Sequence, residues 1–336
     1  MKKTKVLIII SLLLVILSIA GYLAPNVVKN SEIKPSSTPE IKVGTTTTIL
    51  WDFAQHIVGN LGTVDVIIEG GTCPGHYDYT PSDIVKVSDA DIVFYHGFEW
   101  SQFLEDLLTQ AGNLKAAYSM SGNASLGWTQ WGAPANAILF LDAICAELNK
   151  TYPSLNETFN QNCLEYKNQI LVKKAEIEAN NAAIYNFTDV KAYIMFHQKA
   201  FITWLGFNIT GEWTVDDNSM TPSDFANIID GAYKTNTQII IMNYQSGTVQ
   251  GKAAADYLGI ASAALLNFPG VYGVKTYLDQ LDFNVAMLNW ALNNGPDPRG
   301  ITETTIGINL IGAIFAFSLT SISIITYKML KKEKEI

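Results

Sequence analysis

The chain has 336 residues, of which 48% are hydrophobic and 16% are charged, and its formal net charge is −9. This length and apolar content allow two domains of ordinary size and exclude a chain that is disordered throughout. The acidic balance argues against nucleic acid as a partner. It suits the attraction of cations, although solubility alone explains it equally well.

The N-terminal end has the pattern of an export signal. Three lysines within the first five residues precede an uncharged stretch over 6–24. Such a stretch is typical of a secretory signal peptide or of an uncleaved membrane anchor, and no clear cleavage motif decides between them. We therefore expect residues 1–25 to be a signal peptide or an N-terminal anchor, and the Ser/Pro-rich residues 26–40 to be a linker.

The C-terminal end has the pattern of a membrane span. Residues 306–327 carry no charge and are followed by a lysine-rich tail over 328–336. Because positive charge marks the cytoplasmic side, we expect a transmembrane helix over 306–327, a cytoplasmic tail over 328–336 and a polar stalk over 293–305. The region between the two ends is then expected to face the extracellular side of the cell membrane.

The region between the ends alternates β-branched runs with amphipathic segments. Runs such as IKVGTTTTI, VDVIIEG and DIVFYHG come early, and KAYIMF, QIIIMN and SAALLNF come late. This alternation predicts an α/β fold with two Rossmann-like lobes and mostly parallel sheets, an N-terminal lobe over 41–152 and a C-terminal lobe over 185–292. Between them, apolar residues at helical spacing without Gly or Pro predict one long rigid linking helix within 153–184.

Three cysteines, Cys73, Cys145 and Cys163, are too few for a disulfide scaffold. Cys145 and Cys163 lie on consecutive predicted helices, so one bridge between them is possible and stays open. Five N-x-S/T sequons agree with an exported surface, and the sequence leaves their glycosylation open as well.

Four histidines are present, and three of them follow predicted strands. His76 lies in a Gly-rich turn after VDVIIEG, His96 ends DIVFYHG, and His197 follows AYIMF. Ligands of open α/β sheets bind beyond the carboxyl ends of the strands, and neutral imidazole is a common metal ligand. These three residues therefore predict a metal site, whereas His56 lies among apolar residues on a predicted helix and is expected to be structural.

The stretch PGHYDYTPSDIVKVSDADIVFYHGFEW resembles the first metal-binding segment of the zinc and manganese receptor proteins of ABC importers. The segment YIMFHQKAFITWLGF resembles the His-bearing strand of the second lobe in that family. The resemblance implies two four-stranded lobes joined by a long helix, with one divalent cation between them and His76 and His197 among its ligands.

Two departures from the family pattern affect the ligand set. Thr129 and Gln130 stand near the place of a family histidine, and Asn267 stands in place of a family aspartate. Neutral amides are poor zinc ligands, so we expect His96 to replace the missing imidazole and Cys73 to be a further candidate. The expected metal ligands are His76, His96, His197, Asn267 and Cys73.

No motif for nucleophilic, metal-dependent or phosphoryl-transfer catalysis is present, which argues against an enzyme. The interpretation that we favour is a receptor that captures zinc or manganese as cargo, without an organic cofactor, and delivers it to an ABC permease. Two alternatives stay open: an importer receptor for a chelated metal or a small organic cargo, and a surface adhesion or carbohydrate-binding protein.

Overall fold

The structure is a computed structural model that describes residues 41–97, 102–112, 117–121 and 130–295. The expected signal or anchor over 1–25, the linker over 26–40, most of the stalk, the transmembrane helix over 306–327 and the tail over 328–336 lie outside these residues. Within the described ranges, none of the helices combines the length and the apolar character needed to cross a membrane.

The first lobe is built on a sheet of four parallel strands in the spatial order β2-β1-β3-β4. Its strands are β1 Ile41–Thr47, β2 Gly62–Ile68, β3 Ile92–Tyr95 and β4 Ala117–Ser119. Its crossover helices are α1 Thr48–Val58, α2 Pro81–Asp89 and α3 Gln102–Ala111. The β-branched runs form the central strands because their side chains are buried on both faces of the sheet.

Two helices follow the first lobe. They are α4 Pro134–Thr151 and α5 Asn156–Asn180. A 3-10 turn over Pro153–Leu155 precedes α5, and a π-helical turn over Asn181–Tyr185 extends it. The long helix expected within 153–184 is therefore present, and α5 alone is about 37 Å long at 1.5 Å per residue. Its extension ends where Asn186 takes a left-handed conformation, with φ of 51°.

The second lobe repeats the architecture of the first, with spatial order β6-β5-β7-β8 and all pairs parallel. Its strands are β5 Lys191–Met195, β6 Asn208–Trp213, β7 Ile239–Asn243 and β8 Ala261–Leu265. Its helices are α6 Lys199–Trp204, α7 Pro222–Lys234, α8 Val249–Leu258 and α9 Tyr277–Asn294. The expected α/β fold with two parallel four-stranded sheets is confirmed.

One hydrophobic cluster runs through both lobes. It includes Ile41 of β1, Phe53 of α1, Tyr166 of α5, Ile241 of β7 and Leu281 of α9, each at most 1% exposed. Smaller clusters cover the outer face of each sheet. Because the largest cluster is shared, the two lobes are held together by apolar burial as well as by α5.

Asp52 lies fully buried on α1, where α1, α5 and α9 meet. Its carboxylate accepts hydrogen bonds from the Tyr166 hydroxyl of α5 and from the backbone N–H of Tyr277 on α9, the latter at 3.1 Å. The ring of His56 stacks on Tyr166 with centroids 3.6 Å apart, and its Nδ1 lies 3.4 Å from Asp52 Oδ1. His56 is therefore structural, as the sequence predicts.

Cys145 of α4 and Cys163 of α5 are buried, and the structure holds both as free thiols. Cys145 Sγ lies 3.8 Å from the Phe159 carbonyl, and Cys163 Sγ lies 3.9 Å from Asp142 Oδ1. Each sulfur thus lies beside the preceding turn of the other helix. A hydrogen bond between the two sulfurs lowers the pKa of Cys145 and raises that of Cys163.

Replacing Asp52 with alanine is expected to lower the free energy of unfolding by about 3 kcal/mol, because the buried Tyr166 hydroxyl and Tyr277 N–H lose a charged acceptor. Urea unfolding followed by circular dichroism measures the change. Asp230→Ala is the control: among the residues that the structure describes, this exposed residue pairs only with Lys234 on the same helix, so its loss should cost about 0.5 kcal/mol or less. Equal losses in the two variants would contradict the importance of Asp52.

His56 makes stability depend on pH. Burial lowers the pKa of His56, but the hydrogen bond and charge of Asp52, with a smaller effect of Glu165 on α5, raise it above its ordinary value of 6.5. The folded state therefore holds the proton more tightly than the unfolded chain. The resulting stabilisation is complete below pH 6.5 and is lost as pH rises through the folded pKa.

We expect His56→Gln to remove this part of the pH dependence. Urea midpoints of the wild type and of the variant, measured between about pH 5.5 and about pH 8.5, should converge as the pH rises. Parallel curves for the two proteins would show that His56 does not gain a proton on folding.

Candidate functional site

A cavity of about 250 Å³ lies between the lobes, at the carboxyl ends of the strands. In each sheet the chain order reverses next to the first strand, at β1/β3 and at β5/β7, which is where ligands of open parallel sheets bind. The described residues that line the cavity come from both lobes and from the segment before α4. They include Cys73, Gln130, Trp131, Phe196, His197, Asp216, Asn243, Gln245, Asn267 and Phe268.

His197 lies directly after β5, in the 3-10 turn Phe196–Gln198. It lines the cavity, as the sequence predicts for a residue at this strand end. Burial lowers the pKa of His197, and the negative charge of Asp216 opposes part of that change. A neutral imidazole is the form that binds a metal ion, so this environment suits a ligand.

His76 lies in the 3-10 turn Pro74–His76, between β2 and α2, on the first lobe. Its Nε2 lies 3.5 Å from Oδ2 of Asp216, which belongs to the second lobe and lines the cavity. The His76 side chain is 42% exposed and that of Asp216 is 23% exposed. The two side chains therefore face each other across the cleft where water still reaches them.

Asp216 is a functional candidate that the sequence analysis missed. A repeated motif could have revealed it: TPSD occurs at 80–83 and again at 221–224. In both lobes this motif forms a capping box that starts a helix, α2 or α7. His76 and Asp216 lie four and five residues before the two motifs, on corresponding turns of the two lobes.

Cys73 lines the same cavity. Burial raises the pKa of its thiol, and the charge of Asp216 raises it further, while backbone N–H groups of Gly75 and His76 act in the opposite direction. The thiol is therefore protonated at neutral pH. A cation would have to displace that proton before Cys73 could act as a thiolate ligand.

Asn267 and Gln130 are neutral residues at the two departures from the family pattern. They differ in whether their side-chain polar atoms are free to contact a ligand. Both ends of the Gln130 amide are engaged: its Nε2 donates to the Phe196 carbonyl at 3.0 Å, and its Oε1 accepts from the Ala200 N–H at 3.1 Å. The side chain of Asn267 lines the cavity and hydrogen-bonds to no other described residue. Thr129 lies outside the described residues.

Asn243 and Gln245, at the end of β7, line the cavity but are committed to internal hydrogen bonds. Asn243 Nδ2 donates to Ser246 Oγ at 2.7 Å. Gln245 Nε2 donates to the Gly70 carbonyl at 2.7 Å, and its Oε1 accepts from the Asn267 N–H at 3.0 Å. The contact to Gly70 joins the second lobe to the first.

His96 does not line the cavity, where the sequence led us to expect it as a ligand. It is fully buried directly after β3, and its Nε2 lies 2.9 Å from Thr47 Oγ1. Its ring packs on Trp131 with centroids 4.3 Å apart and lies behind Trp131 and Phe268, which line the cavity. Burial lowers the pKa of His96 to about 3, so the ring is a neutral core residue.

Among the tryptophans, Trp131 lines the cavity and donates from Nε1 to the Asn267 carbonyl at 2.8 Å. Trp213 instead stacks on Tyr193 in the second lobe. Trp128 lies outside the described residues.

The described residues contain no group of three or more His, Cys, Asp and Glu side chains that could hold a metal ion as they stand. The structure brings His197, Cys73 and Asn267 to one cavity and His76 to its edge through Asp216. Their donor atoms suit a divalent cation, but they do not form a complete coordination shell without movement of side chains.

Comparison with known proteins identifies the family. The sequence model of the family described as "Zinc-uptake complex component A periplasmic" matches residues 43–291. The iron-binding protein YfeA of Yersinia pestis is 30% identical over 152 residues, which are 42% of this chain and 49% of that protein. The manganese-binding lipoprotein MntA of Halalkalibacterium halodurans is 21% identical over 73% of this chain and 86% of its own length.

A solved structure of a similar protein supports the fold. The Mn-bound periplasmic metal binding protein from Candidatus Liberibacter asiaticus has a TM-score of 0.60 and 21% identity, covering 75% of this chain and all of its own. The match to YfeA spans only about half of that protein's length, whereas the family match covers both lobes. The chain therefore belongs to the zinc-uptake complex component A family, whose members are substrate-binding proteins of ABC transporters for divalent metals and not enzymes.

Proposed function

We propose that the chain is the extracellular receptor of an ABC importer, which captures a divalent transition metal and delivers it to the permease in the membrane. Zinc is the first candidate cargo and manganese the second. The observation that carries this proposal is the cavity between the lobes, with His197 in its wall and His76 facing Asp216 at its edge.

His76 and His197 are the proposed imidazole ligands. They lie on opposite lobes, so a cation bound to both would link the lobes, as expected of a receptor that encloses its cargo. Imidazole suits zinc and other later transition metals better than it suits calcium or magnesium. Asn267 and Cys73 line the same cavity and are secondary candidates for ligands. The amide of Asn267 is neutral, and the raised pKa of Cys73 keeps its thiol protonated while no metal is bound.

His96, which the sequence placed among the ligands, is proposed instead to support the cavity wall. It packs on Trp131, and Trp131 stacks on Phe268 with centroids 5.4 Å apart. Filling the space behind these two rings fixes their positions beside the cargo. Metal binding would then depend on His96 only through the stability of the lobe.

A chelated metal is an alternative to a bare cation as cargo, and the size and lining of the cavity favour it. A volume of about 250 Å³ exceeds what a bare cation needs, and Phe196, Trp131 and Phe268 form part of the wall. The cavity volume lies just below the range of about 300–1,000 Å³ that is usual for pockets that bind organic ligands. A cation with a small chelator or with retained water would fit this space.

The proposed location rests on the sequence of the two ends. Residues 1–25 and 306–327 have the patterns of an export signal or anchor and of a membrane span, with lysines beyond the second. An outward-facing protein tethered beside its permease would release cargo close to the transporter.

The purified full-length chain is expected to bind about one zinc ion, and His76→Ala and His197→Ala should each weaken binding at least about tenfold, or about 1.4 kcal/mol. Competition with a chromophoric chelator measures affinity, and elemental analysis measures stoichiometry. His56→Ala is the control, because His56 lies in the contact between α1 and α5, away from the cavity. A folded protein that takes up neither zinc, manganese nor iron would refute the receptor proposal for bare cations and favour another cargo.

His96→Ala should show the opposite behaviour to His197→Ala. We expect it to lower the free energy of unfolding by about 2–4 kcal/mol, since it opens a void in a packed core, while zinc affinity stays within about twofold. Urea unfolding and chelator competition on the same preparation separate the two effects. A tenfold loss of affinity at unchanged stability would return His96 to the ligand set.

A further inference from the structure

We infer that Asp216 supplies the anionic ligand of the cargo site, in place of the carboxylate that is absent at Asn267. This inference rests on the proposed function, because it names a ligand of that same site. Among the described residues that line the cavity, Asp216 contributes the one carboxylate. A site with two imidazoles and no anion would leave the full charge of a divalent cation uncompensated in a partly buried space.

The position of Asp216 is fixed by its own turn. Oδ1 accepts the Ser219 N–H at 3.0 Å, which leaves Oδ2 directed at His76 Nε2, 3.5 Å away. One oxygen therefore holds the loop while the other faces the cleft. A carboxylate held in this way can bind a cation without first losing much conformational freedom.

Asp217 attaches the turn that carries Asp216 to the rest of the second lobe. The Asp217 N–H donates to the Ser246 carbonyl at 2.9 Å, and its Oδ2 accepts the Val249 N–H at the start of α8 at 2.6 Å. Gly247 permits this approach: a Cβ there would lie 2.5 Å from Asp217 Cβ, and its φ of +103° disfavours other residues. Asp217 is thus committed to structure, and Asp216 is the acid that faces the cleft.

The charge of Asp216 reaches the other candidate ligands. It opposes the effect of burial on His197 and acts on the thiol of Cys73. Asp216 is therefore close enough to three candidate donors, His76, His197 and Cys73, to interact with each of them. Two imidazoles with one carboxylate form a donor set that zinc accepts in proteins.

Zinc affinity of the purified full-length chain, measured by chelator competition, tests this inference. Asp216→Asn removes the charge but retains the oxygen that accepts the Ser219 N–H, so the fold should persist while zinc affinity falls at least about tenfold. Glu212→Gln is the matched control, because it removes the same charge from β6. Glu212 does not line the cavity, and its carboxylate lies 2.9 Å from Lys199 Nζ. Its zinc affinity should stay within about twofold.

A second variant tests whether the missing charge is what matters. Adding Asn267→Asp to Asp216→Asn places a carboxylate on another wall of the same cavity, and it should recover most of the lost affinity. If Asp216→Asn lacks the circular dichroism spectrum of the wild type, Asp216→Ser takes its place, since a hydroxyl can also accept the Ser219 N–H.

The outcomes separate this inference from the proposed function. Wild-type zinc binding with an unchanged affinity in the folded Asp216 variant would overturn the role of Asp216 and leave the receptor function intact. Equal losses in the Asp216 and Glu212 variants would also overturn it, because a general field effect would then explain both. A wild type that binds no metal would instead refute the proposed function itself.

Discussion

The carboxylate of Asp52 is removed from water at the meeting point of α1, α5 and α9, and a charge cannot remain buried there without partners. The Tyr166 hydroxyl and the Tyr277 N–H provide them. These contacts hold a helix of the first lobe, the long helix and the last helix of the second lobe in one arrangement. The two lobes that enclose the cavity are therefore joined through one buried carboxylate.

The contacts around the cavity show how a binding site and a lobe interface share the same residues. The backbones of the lobes meet where a Cβ on Gly70 would lie 1.8 Å from the Pro269 carbonyl oxygen, so only glycine fits there. Gln245 and Trp131 bridge to the opposite side of the cleft by hydrogen bonds. Gln130, near the place of a family histidine, joins its segment to the second lobe through both ends of its amide. An amide cannot serve as a strong zinc ligand, and here its two ends satisfy two backbone groups of the second lobe instead.

Much of the fold follows from local sequence. The central strands are recognisable because burial on both faces requires continuous β-branched runs. The long helix is recognisable because its apolar residues keep helical spacing without interruption. The two strands that the sequence analysis did not recognise, β4 and β6, are both at sheet edges. One has only three residues and the other reads NITGEW, since an edge strand with one exposed side tolerates polar residues and glycine. The site was predicted less completely: the position after strands correctly indicated that His197 lines the cavity and that His76 lies at its edge, but the same reasoning did not show that His96 is buried behind Trp131, and it did not single out Asp216.

The sequence by itself determined the α/β class, the central strands, the long helix and the turns that carry His76 and His197, because these follow from the pattern of residues close in the chain. Tertiary structure alone decided which strand-end side chains reach the cavity. His96 and His197 both follow a central strand, yet Trp131, distant from both in sequence, covers His96 and leaves His197 at the cavity wall. Asp216 faces His76 only because two turns of different lobes meet across the cleft. Such meetings depend on how the lobes pack, and no local pattern encodes that packing.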